Sequence, residues 1–382
     1  MATLWGRSDF RCSNLPPLLF SRLLPKFGAG GKFDVSVNEY RPKINLRRSA
    51  LLMVLAIGLM ILAGWLLARE NFYQMLGAVR TANPVFIVVA IAVYFFSVGI
   101  WAIRWQKALS FINCETSFSA RYLILCATIF FNNITPGARV GGDPFGRVYM
   151  LHKLENTSYS SGMASSIGEH ALTPLVIVSF LIAGLFLQFG KTSLRLGLVL
   201  ILALIFAAFG IVFIPRVFFK RKIAVKRISK ITNRVLGWFG KGGSVEEIMG
   251  GIEAFYTSSY STIDKWRKIF WIGLFTLVIG ALDVFRLYII FLALGYYPKL
   301  SMLLVASALP TIVGLIPFLP GGLVIVEGSL ISIFALFGVP LNLAIAATAI
   351  ERGISFVLST IVGAGVFSYL GVKMAAKPGV RS

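Results

Sequence analysis

The stretch FNNITPGARVGGDPFGRVYML, residues 131–151, decides how the rest of this chain is read. It continues an apolar run, yet it carries Pro136, Gly137, Gly141, Gly142 and Pro144 among Arg139, Asp143 and Arg147. Broken backbone at membrane depth persists only where it is buried in protein or lines a wet cavity. Ionisable side chains at that depth are costly and mark functional pathways. The stretch therefore reads as one half of a polar site in the middle of a membrane transporter.

Composition places the stretch in a bilayer. Of the 382 residues, 57% are hydrophobic and 14% are charged, and the mean hydropathy is +0.82. A soluble domain carries about a quarter of its residues charged. Apolar runs close to the ~20 residues that span a bilayer recur along the chain. The expected fold class is an all-α polytopic membrane protein.

The net charge of +22 is concentrated in two places. Residues 1–48 hold nine Lys/Arg against Asp9, Asp34 and Glu39, and residues 214–268 hold twelve against Glu246, Glu247, Glu253 and Asp264. This is the positive-inside bias of cytoplasmic segments, with attraction to anionic headgroups alongside it. No nucleic-acid-binding motif accompanies the charge, so nucleic acid is not an expected partner. Cys12, Cys114 and Cys126 form no CxxC pair and have no partnering histidine, which indicates neither a disulfide framework nor a metal site. No cofactor is expected.

Residues 1–48 read as a loosely ordered basic tail, followed by an integral membrane domain over 49–371 and a tail over 372–382. Full spans are expected near 49–68, 84–103, 163–188, 195–214, 269–292 and 342–371, with Arg104 and Lys107 flanking the second. If 119–153 crossed the membrane once, the basic loop 215–268 would fall outside, against the positive-inside rule. If it enters and leaves by one face, Lys107, Lys153, the basic loop, Lys373, Lys377 and Arg381 all fall inside. The segment before Pro136 is about 24 Å long as a helix, short of the ~30 Å hydrocarbon core. A second apolar stretch, 300–338, is broken at Pro310, Pro317 and Pro320-Gly321-Gly322, and reads as a hairpin entering from the other face. The expectation is six spans and two re-entrant hairpins in the cell membrane, with both termini cytoplasmic.

The two broken segments also resemble each other. Pro136-Gly137 precedes Asp143 by the same seven residues (143 − 136) that separate Pro320-Gly321 from Glu327 (327 − 320). A second acid follows in the next span, Glu169 after 26 residues (169 − 143) and Glu351 after 24 (351 − 327). Two units result, 84–188 and 269–371, each a span, a hairpin and a span. They start from opposite faces and so form an inverted repeat. Inverted repeats with broken helices meeting at the midplane are a feature of secondary transporters, which rock one repeat against the other.

Within these units, Asp143-Pro144 suits a helix start, with Asp as the cap and Pro in the first turn. A helix N-terminus attracts anions, and an arginine fork such as Arg139 or Arg147 holds a phosphate by two hydrogen bonds. Adjacent Glu351 and Arg352 diverge on a helix and need partners elsewhere. The options are Glu169 with Arg139 or Arg147, and Arg352 with Asp143 or Glu327. Asp283 and Arg286, three residues apart, are expected to pair with each other. His170 reads either as a proton relay or as a hydrogen-bonded helix histidine, and Asn132 and Asn133 either as ligands or as caps. Arg139, Arg147, Arg286 and Arg352 against Asp143, Glu169, Asp283, Glu327 and Glu351 give a nearly neutral cavity.

The segments NNITPGARVGGDPFGRVYML and LPGGLVIVEGSLISIFALFGVPLNLAIAATAIERGISF resemble the transmembrane region of the lysylphosphatidylglycerol synthase family. The resemblance covers about 45–372 and implies lipid flipping between leaflets. The family's motif positions map onto Pro136, Gly137, Gly142, Asp143, Arg147, Pro320, Gly321, Gly322, Glu327, Glu351 and Arg352. With Arg139 and Glu169 from the reading above, the charged residues among them are the expected headgroup-binding set, and the prolines and glycines, with Gly141, are the expected hairpin breaks. The full synthases carry a soluble aminoacyl-transferase domain after this region, and this chain stops soon after its last span. Synthase activity is therefore not carried over.

The leading expectation is a flippase-like transporter moving a phospholipid or a lipid-linked glycan carrier. Its partners would be membrane lipids, either an anionic phospholipid or a polyprenyl-phosphate-linked glycan, and a homo-oligomer is compatible. The alternatives are a membrane-embedded head-group transferase and a small-solute or ion transporter. Against the transferase, the chain offers only His152 and His170, no Cys–His pair and no nucleotide loop. No catalytic residue and no metal ligand is assigned.

Overall fold

A computed structural model of the chain describes residues 77, 79–112, 114–134, 141–155, 157, 159–170, 172–188, 264–313 and 325–376. The expected N-terminal tail, the spans near 49–68 and 195–214, most of the basic loop, Arg139 and the residues from 377 onward lie outside them. So do the breaks at Pro136, Gly137, Pro320, Gly321 and Gly322. Among the described residues every regular element is helical. We number the helices α1 (Pro84–Leu109), α2 (Phe118–Ile134), α3 (Arg147–Glu155), α4 (Tyr159–His170) and α5 (Thr173–Gln188) in the first half. The second half has α6 (Asp264–Ala293), α7 (Leu300–Val313), α8 (Ile325–Leu336), α9 (Leu341–Arg352) and α10 (Ser359–Ala376).

Four described helices are long and apolar enough to cross a bilayer: Pro84–Leu109, Gly168–Gln188, Arg267–Ala293 and Leu341–Met374. The chain is an all-α polytopic membrane protein. The start of α1 follows from local chemistry, because Pro84 sits in its first turn and the Asn83 side chain accepts the Val85 amide at 3.0 Å. The helices of the two hairpins are shorter. With 17, 14 and 12 residues, α2, α7 and α8 measure about 26, 21 and 18 Å, less than the ~30 Å core.

The two halves are related by an inverted pseudo-two-fold. The leading helices α1 and α6 pack together along their length. They run antiparallel: the Asn83 amide at the start of α1 donates to the Ala293 carbonyl at the end of α6, at 2.8 Å. At the other end, Lys268 Nζ donates to the Ser110 carbonyl at 3.0 Å. The remaining contacts are exchanged in kind. The first hairpin arm α2 packs on α10, and its counterpart α7 packs on α5. Each of these crossings has a glycine where the helices touch. A Cβ on Gly184 would lie 2.9 Å from Val305 Cγ2 and 3.0 Å from the Ser301 carbonyl, and one on Gly363 would lie 2.5 Å from the Cys126 carbonyl. Small residues at crossings let transmembrane backbones approach closely.

Two apolar clusters hold this frame. One surrounds Trp105, Ile124, Met150 and Leu151 in the first half, and the other surrounds Phe291, Phe334 and Leu330 in the second. Phe291 and Phe334 meet edge to face, with ring centroids 4.9 Å apart. Cys126 is a buried free thiol.

Candidate functional site

The first half builds its site where the second hairpin arm meets α4. Asp143 lies in a wide turn over Gly141–Gly146, with extended φ/ψ of −119° and 116°, and Pro144 follows it. The backbone is thus that of a helix cap, but the carboxylate does not serve as one. Its Oδ2 accepts Arg147 Nη1 at 3.0 Å and lies 2.8 Å from His170 Nε2, and its Oδ1 accepts the Ser166 hydroxyl. The reading of Asp143 as a cap is corrected to that extent, because charged neighbours outcompete backbone amides for the carboxylate.

Arg147 is fully buried. Its Nη2 pairs with Glu169 Oε2, and its guanidinium lies 3.9 Å from the Trp105 ring centroid and 5.5 Å from that of Trp101. Of the two partners considered for Glu169, Arg147 pairs with it, and Arg139 lies outside the described residues. The fork expected to hold a phosphate is therefore occupied by two carboxylates, and its Nε is buried with no partner among the described residues.

Glu169 has a second cation that sequence reasoning missed. Arg104 was read as a flanking charge, but α1 continues to Leu109 and buries it. Its Nε meets Glu169 Oε1 at 2.9 Å and its Nη1 donates to Thr276 Oγ1 on α6 at 3.2 Å.

The second half repeats this arrangement. Arg286 on α6 grips Glu351 with both Nε and Nη2, at 3.0 and 2.8 Å. Its Nη1 holds Asp283 at 2.9 Å, as the three-residue spacing led us to expect. Arg352 Nε pairs with Glu327 Oε1, which settles its partner as Glu327. The other oxygen, Glu327 Oε2, is buried with no partner among the described residues. Behind these residues, the last span opens into a π-helical stretch over Gly353–Leu358, a feature often found at functional sites.

Several of these residues correspond at a fixed offset. Arg104–Glu169 and Arg286–Glu351 are both separated by 65 residues. Each arginine lies 182 positions from its counterpart (286 − 104), as does each glutamate (351 − 169). The next residue in each half, His170 or Arg352 (352 − 170 = 182), turns to the hairpin acid, Asp143 or Glu327. Thr276, which receives Arg104, corresponds to Tyr94 (276 − 94 = 182), whose ring lies 5.2 Å from the Arg286 guanidinium. The available signal for Arg104 was this register, since Arg286 identifies its counterpart once the offset is known.

Asn133 connects the halves, whereas the bond of Asn132 to Asp143 stays within the first. Asn132 Oδ1 accepts the Asp143 amide at 3.0 Å. Asn133 Nδ2 reaches Thr360 Oγ1 at 2.9 Å, just beyond the π-helical stretch. The described charges within the spans and hairpins near this axis are Arg104, Arg147, Arg286 and Arg352 against Asp143, Glu169, Asp283, Glu327 and Glu351. Removing one member of such a buried pair leaves an uncompensated charge, whereas exchanging one anion for another keeps the balance.

Comparison with known proteins gives consistent relatives. The sequence profile of the lysylphosphatidylglycerol synthase TM region matches residues 51–363. A UPF0104 membrane protein of Methanothermobacter thermautotrophicus is 30% identical over 342 residues, covering 86% of this chain and 95% of the relative. UPF0104 membrane proteins of Pyrococcus horikoshii and Methanocaldococcus jannaschii are 26% and 25% identical, covering 82% and 84% of this chain and 94% of each relative. No solved structure matches.

Proposed function

The chain belongs to the family of the lysylphosphatidylglycerol synthase transmembrane region, and on that premise we propose that it is a flippase-like transporter. Its cargo is a phospholipid or a lipid-linked glycan carrier moved between the leaflets of the cell membrane, with both termini cytoplasmic. The observation that carries this reading is the pair of two-fold-related ion clusters, Arg104–Glu169–Arg147–Asp143 and Arg286–Glu351 with Arg352–Glu327, held inside apolar spans. Apolar packing alone would hold these helices at less cost, so charges retained at this depth point to a charged cargo.

The chemistry of the exchange follows from the pairs. A headgroup phosphate is an acceptor that an arginine fork binds as it binds a carboxylate. When it enters, it displaces Asp143 or Glu169 from Arg147, and the released carboxylate retains Arg104 or Ser166 as a donor. The inverted halves offer equivalent routes toward either leaflet, as expected of alternating access.

The test uses the full chain in vesicles carrying a fluorescent phosphatidylglycerol. Arg147→Ala and Glu351→Ala are each expected to abolish its movement between leaflets. Undiminished movement in both variants would refute the site. Uptake of a soluble solute, or a new headgroup-modified lipid detected by mass spectrometry, would instead support a solute transporter or a transferase.

A further inference from the structure

At the 182-residue register His170 stands where the second half has Arg352, each turned to its hairpin acid, and from that difference we infer that His170 is the binding site of a coupling proton. The inference rests on the transport reading above. The guanidinium of Arg352 keeps its charge at any physiological pH. The imidazole at the equivalent position 170 belongs to the residue type that changes charge near neutrality.

His170 is also the accessible member of its cluster. Its side chain is 42% exposed, against 10% for Asp143, 5% for Arg104 and 0% for Arg147 and Glu169. A carboxylate only accepts hydrogen bonds, so the neutral imidazole facing Asp143 Oδ2 must carry its hydrogen on Nε2. Nδ1 is then the atom left to take a proton from the aqueous phase, and taking it forms one N–H bond and breaks none within the protein.

The charged groups facing His170 define the consequence. Asp143 and Arg147 come from the second hairpin arm, Arg104 from α1, and Glu169 precedes His170 on α4; Trp101 of α1 contributes only an aromatic edge, 6.2 Å away. With the imidazole neutral, two arginines balance two carboxylates. With it protonated, three cations share the same two carboxylates, and the imidazolium competes with Arg147 Nη1 for Asp143 Oδ2. Arg147 Nη1 is then released to donate to an anionic oxygen, while the buried Nε, on the edge it shares with the Glu169-bound Nη2, offers a second donor on the same guanidinium. Proton and anionic headgroup therefore bind together, one of each. In the second half Arg352 cannot switch, so coupling resides in the first half.

The experiment takes the full chain in phosphatidylglycerol-containing nanodiscs and vesicles. The protein has only two histidines, so ¹⁵N-histidine NMR with His152→Gln for assignment follows His170 directly. Its signal is followed from about pH 5 to 8, and proton uptake on Nδ1 is read as a change in its ¹⁵N shift. The translocation rate of the fluorescent lipid should follow the same curve, changing by at most about tenfold per pH unit for one proton. His170→Arg, and independently His170→Gln, should translocate at a rate that does not vary over this range. A His170 signal that does not titrate overturns the inference and leaves the transport reading standing, as does a His170→Arg variant that keeps the wild-type pH profile. Normal titration with no translocation at any pH removes the transport reading, and the inference falls with it.

Discussion

Replacing Glu351 by Gln offers the sharpest test of how the two clusters are held. In the native protein Glu351 takes both Nε and Nη2 of Arg286, at 3.0 and 2.8 Å, with both side chains more than 90% buried. Gln fills the same volume but removes the charge, leaving Arg286 with Asp283 alone, a carboxylate that is 39% exposed. Breaking a buried pair in this way costs about 3–5 kcal/mol. The pseudo-two-fold counterpart, Glu169→Gln, should cost more, because Glu169 balances both Arg104 and Arg147. Replacing the pair together, Arg286→Met with Glu351→Met, removes both charges and should recover most of the lost stability while still abolishing transport. Denaturant unfolding in detergent, followed by near-UV circular dichroism, gives the order: the Met pair more stable than Glu351→Gln, and that variant more stable than Glu169→Gln. A Glu351→Gln protein as stable as wild type, or a Met pair less stable than Glu351→Gln, would refute the assignment of these pairs as closed, buried and mutually dependent.

Gly363→Val should weaken the crossing of α2 and α10 by about 1–3 kcal/mol in the same assay, because its Cβ meets the Cys126 carbonyl, which is backbone and cannot rotate away. Gly365→Ala, two residues on with nothing within 4 Å of its Cβ, is the matched control and should be neutral. Cysteines placed at Phe118 and Lys153, before and after the first hairpin, should react with an impermeant maleimide from the same side of the membrane. Labelling from opposite sides would make 118–153 a full crossing.

The sequence carried the repeat because a proline-glycine break and two acids recur at matched offsets, and no single span of hydropathy contains that information. It also carried the Asp283–Arg286 and Arg352–Glu327 pairs, the first through helical spacing and the second as one of two options. Arg104 escaped because a charge at the end of an apolar run looks like an interfacial flank; only packing against α4 and α6 shows that the helix runs on and buries it. The bidentate grip of Arg286 on Glu351 spans 65 residues and has no local signature. Asp143 was read by its backbone, as a cap position, while its side chain answers to Arg147 four residues on and to Ser166 and His170 of α4.

The exchanged packing of the hairpin arms ties each half to the other. Since α2 leans on α10 and α7 leans on α5, each half lends its final helix to the other half's hairpin. Either half expressed alone would therefore leave a hairpin arm without the helix it packs on. The packed units of this frame are accordingly composites, each made of one half's hairpin arm and the other half's final helix.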